Sequence, residues 1–139
     1  MTHARLRKTP GPDHPITLER ASAQVVVRNG SVVVAESDRA LEMREASYLP
    51  VLYIPLDDVD QRVLRHSDHH TYCPYKGEAS YYDILGGDGT ELTAAVWYYP
   101  DPFPAMADIK GHVAFYADRV TVSAEPFGFA HRTEPDIKD

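Results

Sequence analysis

The sequence predicts a mainly β fold, a small antiparallel domain of short strands and hairpins with one short helix near residues 104–110. Three observations carry that reading. β-Branched and aromatic residues come in short runs separated by Gly, Asn, Asp and Pro at hairpin spacing. Helical periodicity is convincing only across residues 104–110. Strands do not alternate with helices, so a doubly wound nucleotide-binding fold is disfavoured.

Residues 1–21 carry Pro10, Pro12, Pro15 and many polar groups without apolar periodicity, and read as a flexible arm. A single β domain is expected over residues 22–124, followed by a polar tail over 125–139. The β-branched runs 24–28 and 31–35 flank Asn29-Gly30, a hairpin signal because both residues tolerate positive φ. Ser37-Asp38-Arg39 reads as a turn and 40–44 as a strand. Residues 51–54 form a strand stopped by Pro55, 56–59 a helical turn, 62–65 an extended stretch and 67–70 a polar connection. Residues 79–85 and 91–99 make a second hairpin around Gly86-Gly87-Asp88-Gly89. That glycine run is no phosphate loop, since no helix follows it and Gly-Lys-Ser/Thr is absent. Pro100-Asp101-Pro102 ends the strand. The short helix stops before Gly111, as a C-terminal glycine allows. Residues 112–116 and 120–124 read as a last hairpin around Asp118-Arg119.

Composition narrows the function. The 139 residues include a single Cys, which excludes an intrachain disulfide and a Cys₄ or Cys₂His₂ zinc site. No apolar run approaches the ~18 residues of a membrane span. The polar, basic first residues do not read as a secretory leader, so a cytoplasmic location is expected. The net charge of −7 resides in the β domain, whereas Arg5, Arg7, Lys8 and Arg20 make the arm basic. An acidic body repels phosphate backbones, so nucleic acid is not an expected partner.

Candidate chemistry lies in four places. Ten of the fourteen aromatic residues fall between Tyr72 and Tyr116. Strand alternation puts Trp97 with Tyr99 on one face, opposite Val96 and Tyr98, and groups Tyr81 with Ala79. These rings read either as core or, because Tyr and Trp carry polar tips, as walls of a pocket. The second place is Thr71-Tyr72-Cys73-Pro74-Tyr75-Lys76-Gly77, where Pro74 and Gly77 mark a rigid bend holding Cys73 near Lys76. An ammonium beside a thiol favours thiolate, which makes Cys73 and Lys76 the catalytic candidates. A lone Cys also serves as a small buried hydrophobe. Third, His66-Ser67-Asp68-His69-His70 offers imidazoles, but its spacing matches no zinc module; no metal and no cofactor are expected. Fourth, Glu45 could share a cavity with Lys76 and anchor the polar end of a ligand, or form a rim ion pair with it.

Further strings carry a resemblance. Leu41-x-x-Arg44-Glu45, Tyr53-x-Pro55-x-x-Asp58-Val59, the Cys-Pro-Tyr-Lys-Gly run, Ala79-x-Tyr81, Trp97-x-Tyr99-x-Asp101-Pro102 and Gly111-His112-Val113-Ala114-Phe115-Tyr116 closely resemble the bacterial domain-of-unknown-function family 427. The resemblance spans about residues 22–124. It implies a β-tent fold, an antiparallel assembly with an aromatic pocket at its open side, framed by Glu45, Cys73, Tyr75, Lys76, Tyr81, Trp97 and Tyr99. The family also bears a nucleotidyltransferase-like label, although the Gly-Ser and paired-aspartate strand pattern that holds Mg²⁺ in such enzymes is missing here. The expected function is a small-molecule-binding domain, with homodimerisation left open. The alternatives are an enzyme using Cys73 as nucleophile or redox thiol, a nucleotide-processing enzyme, and a protein-interaction module.

Overall fold

A computed structural model describes residues 5–86 and 90–127. Its strands are β1 (Ile16–Arg20), β2 (Ala23–Asn29), β3 (Val32–Ser37), β4 (Leu41–Glu45), β5 (Val51–Pro55), β6 (Leu64–Cys73), β7 (Gly77–Leu85), β8 (Glu91–Tyr98), β9 (His112–Phe115) and β10 (Thr121–Pro126). They build a seven-stranded sheet in the order β1-β4-β5-β9-β8-β7-β6 and a three-stranded sheet in the order β10-β2-β3, antiparallel throughout. The mainly β architecture expected from the sequence is the one observed. Among the described residues, no helix is long and apolar enough to cross a membrane.

Period-two alternation divides the core. Val25, Val27 and Val34 of the small sheet pack with Ile54, Ile84, Val96, Val113 and Phe115 of the large one, which joins the two sheets. Each such side chain contributes roughly 1.5–3 kcal/mol by leaving water. Residues of opposite parity on the same strands, Tyr53, Tyr81 and Ala114, belong to a second cluster on the other face of the large sheet. Met106 and Ile109 join that cluster from a 3₁₀ segment, Pro104–Ile109. One face of the large sheet therefore joins the two sheets, and the other carries Tyr53, Tyr81, Trp97, Tyr99 and Tyr116.

Register irregularities aim those rings. β7 runs straight between two bulged neighbours, with irregularities between His66 and His70 of β6 and opposite Tyr82–Ile84 on β8. Buried Asp83 explains the second bulge. Its Oδ1 accepts the Ala94 N–H at 2.7 Å, and Ala94 takes a φ of 49°. Its other oxygen accepts from Arg65 at 3.2 Å, so the buried carboxylate is fully engaged.

Several local expectations are corrected. The first hairpin turns at Gly30-Ser31, with Gly30 at φ 62°, and Asn29 closes β2 opposite Val32. Residues 67–70 lie inside β6 rather than in a connection. The helix near 104–110 is 3₁₀, closed by i→i+3 bonds such as Met106 N–H to Phe103 O, because Met106 departs from helical angles. Residues 112–116 and 120–124 do not form a hairpin. Both edges of β9 are already taken by β5 and β8, so β10 crosses to the small sheet and pairs with β2. Residues 16–20, read as arm, are β1 because Ile16 and Leu18 supply an apolar face against β4. β10 likewise extends past 124 to Pro126. Gly87, Asp88, Gly89 and residues 128–139 lie outside the described residues.

Candidate functional site

The Cys-Pro-Tyr-Lys-Gly string is the β6–β7 hairpin. Cys73 pairs with Gly77, and the Lys76 N–H donates to the Cys73 carbonyl at 3.2 Å. Gly77 holds φ at 116°, and a Cβ there would meet the Asp101 carbonyl oxygen at 3.4 Å. Glycine is thus required at this position by conformation, since a Cβ would find ordinary contact distance but a strained φ. The tight turn sends neighbouring side chains to different surroundings. Lys76 is buried, at 6% exposure, while Tyr75 stacks on His14 with centroids 4.1 Å apart.

Lys76 enters an open cavity of about 230 Å³ lined by Met43, Glu45, Val51, Tyr53, Tyr81, Trp97, Tyr99 and Tyr116. Strand pairing explains the hollow. Tyr81 lies opposite Trp97, and Trp97 lies opposite Ala114. Ala114 and Ala79 are the small residues of this face, so large rings surround positions that cannot fill the space between them. Trp97 meets Tyr53 edge-on at 6.4 Å and Tyr116 at 4.5 Å. A second, more apolar cavity of about 270 Å³ shares Val51, Trp97 and Tyr116 and continues along Leu52, Ile54, Phe115 and Val122.

The polar groups form a short chain through the cavity wall. Lys76 Nζ donates to Glu45 Oε1 at 2.5 Å, and the other Glu45 oxygen lies 2.7 Å from His14 Nε2. Burial alone pushes the Glu45 carboxyl upward. The hydrogen bonds from Lys76 and His14 outweigh that effect and hold it below its ordinary range. Cys73 Sγ is 3.7 Å from Lys76 Nζ, a long contact to a weak acceptor. Trp97 Nε1–H donates to the Tyr53 hydroxyl at 3.3 Å. The Tyr81 hydroxyl bonds Thr71 Oγ1 at 2.8 Å and approaches the Tyr116 hydroxyl at 3.5 Å. Burial pushes the Tyr53 and Tyr99 phenols far above their usual value, and burial together with Tyr81 pushes Tyr116 up to about 12. All three remain protonated donors at neutral pH.

Of the residues singled out from sequence, Glu45, Lys76, Tyr81, Trp97 and Tyr99 line this one cavity. Tyr75 does not, because the hairpin tip turns its ring to His14 and Lys8. Cys73 packs against the aromatic cluster without lining the cavity. His66, His69 and His70 part company along bulged β6. His66 packs on Tyr82, His69 on Tyr81, and His70 bonds Ser80. Among the described residues, no three His, Cys, Asp or Glu side chains converge as metal ligands would.

Sequence reasoning missed Met43, Tyr53, Tyr116 and His14. Tyr53 and Tyr116 were readable from alternation, since each precedes or follows a residue of the opposite core cluster. His14 carried no such signal, because the arm around it lacks periodicity. That arm is docked rather than free over its described part. Arg5 lies over Tyr72 at 4.6 Å and Arg7 over Phe103 at 4.0 Å, while the Lys8 N–H donates to the Pro74 carbonyl at 2.9 Å. Its cations lie over Tyr72 and Tyr75 of the hairpin and over Phe103, and Arg5 also meets Glu78 at 3.7 Å.

Comparison with known proteins agrees with the resemblance carried by the motifs. No curated protein matches the chain. Residues 17–125 match the family profile described as a domain of unknown function, DUF427. The match starts inside β1 and ends inside β10, so it takes in both sheets and every cavity-lining residue. The chain belongs to the DUF427 family.

Proposed function

We propose that this chain is a cytoplasmic small-molecule-binding domain whose site is the cavity walled by Tyr53, Tyr81, Trp97, Tyr99 and Tyr116. The observation that carries the reading is the buried Lys76–Glu45 pair opening into that cavity. A salt bridge at this depth costs desolvation that apolar residues would avoid, and it is a poor choice for stability alone. Aromatic walls with a few convergent polar groups are the usual composition of a ligand site. The Cys73-based alternative has less support, because Lys76 directs its short contact to Glu45 and the thiol lies outside the cavity lining.

Trp97 is the only tryptophan and lines the cavity, so its emission reports occupancy directly. Titration with a metabolite library should produce saturable quenching by at least one compound, with a matching rise in melting temperature. Unchanged emission together with an unchanged melting temperature across the library would overturn the assignment. Cys73→Ser should leave the quenching intact; its loss would favour the thiol-based reading instead.

A further inference from the structure

Resting on that reading, we infer that the cavity takes a compact, neutral, planar ligand that presents a hydrogen-bond-accepting carbonyl oxygen. Hydrogen accounting at the cavity wall carries the inference. The Tyr99 hydroxyl belongs to a residue only 8% exposed, lines the cavity and has no hydrogen-bond partner among the described residues. The Tyr53 oxygen already accepts from Trp97 Nε1–H, while its own O–H has no acceptor there. Lys76 has three N–H groups. One serves Glu45 and another faces only the distant Cys73 sulfur, which leaves donor capacity in hand. Three residues on three strands or turns that line one space therefore carry donor capacity that no acceptor among the described residues uses.

A ligand that displaces solvent from these groups must accept from them or leave buried donors unmade, which is the costly case. Charge then selects among acceptors. Lys76 is balanced by Glu45, so a buried carboxylate would bring a second anion without a counterion. A cation facing the rings would have to share the cavity with the Lys76 ammonium. The neutral oxygen is what remains. Size points the same way. A volume of about 230 Å³ corresponds to roughly seven or eight water molecules at ~30 Å³ each, room for one ring and a substituent. The Trp97, Tyr53 and Tyr116 rings suit a flat partner.

Four matched probes test this on the full-length chain: acetophenone, benzoate, benzylammonium and ethylbenzene. Binding is followed by Trp97 emission and by the single indole N–H resonance, whose acceptor is Tyr53. Acetophenone should bind about tenfold or more tighter than each of the others. Tyr99→Phe and Tyr53→Phe should each weaken it about two- to tenfold, the worth of one net hydrogen bond. Tyr82→Phe, on the opposite face of β7, should not change it. Equal or tighter binding of ethylbenzene, benzylammonium or benzoate would overturn the neutral-acceptor assignment and leave the cavity as a ligand site. Silence of both readouts with all four probes would overturn the inference, while the ligand site itself stands or falls with the metabolite titration above.

Discussion

Lys76 and Glu45 are each the other's condition for burial. Removing the ammonium leaves the Glu45 carboxylate facing aromatic rings with only His14 beside it. Lys76→Met should therefore destabilise the fold by about 3 kcal/mol, the usual cost of breaking one side of a buried pair. The double replacement Glu45→Leu/Lys76→Met should recover most of that loss, because it removes both desolvation costs at once. Denaturant titration of the two variants checks this, and a double variant less stable than the single would contradict it. Titration of Glu45 gives a second test. Its folded pKa is lowered, so its stabilisation is present above its ordinary value near 4.5 and is lost as pH falls through the lower folded value. Glu45→Gln should be less stable than the parent at pH 7, and the gap should narrow steadily below about pH 4.5. Thermal melts across that range measure it. A gap independent of pH would mean that Glu45 contributes through packing alone.

The β6–β7 hairpin is the element on which the site depends, and its glycine can be tested apart from the chemistry. Gly77→Ala imposes a Cβ on a φ of 116° and pushes it to 3.4 Å from the Asp101 carbonyl oxygen. It should cost at least about 1 kcal/mol and loosen Lys76, so melting temperature and Trp97 quenching should fall together. Gly30→Asn, in open space at φ 62°, should cost only a few tenths of a kcal/mol by contrast. Elements of this kind were legible in the sequence because local chemistry determines them. The Cys-Pro-Tyr-Lys-Gly turn, the β2–β3 hairpin to within one residue of its turn, and the face shared by Trp97 and Tyr99 all follow from neighbours within a few residues. The errors share a different origin. Whether 112–116 pairs with 120–124 depends on which edges of β9 are free, and that is decided by β5 and β8 far away in sequence. The place of His14 beside Glu45 likewise depends on a contact across 31 residues that no local pattern encodes.

At the scale of the molecule, the seven-stranded sheet separates the core from the proposed ligand site. The face toward the small sheet is mainly aliphatic, and the opposite face holds Tyr53, Tyr81, Trp97, Tyr99 and Tyr116 around the cavity that Lys76 enters. Ile84 is fully buried on the first face, on the same strand as Tyr81 on the second. Ile84→Ala should cost about 2–5 kcal/mol through lost burial and the cavity it leaves. The affinity of any ligand that quenches Trp97 should nevertheless hold under conditions where the variant remains folded. Tyr99→Phe should do the reverse, weakening the ligand while shifting stability little, because its hydroxyl has no partner to lose among the described residues. Effects at separated, uncoupled sites add, so the double variant should show both losses independently. Calorimetric melting and fluorescence titration on the same three proteins measure this. A strong non-additive term in either quantity would mean that the two faces communicate through β7, and that the cavity is shaped by the core behind it.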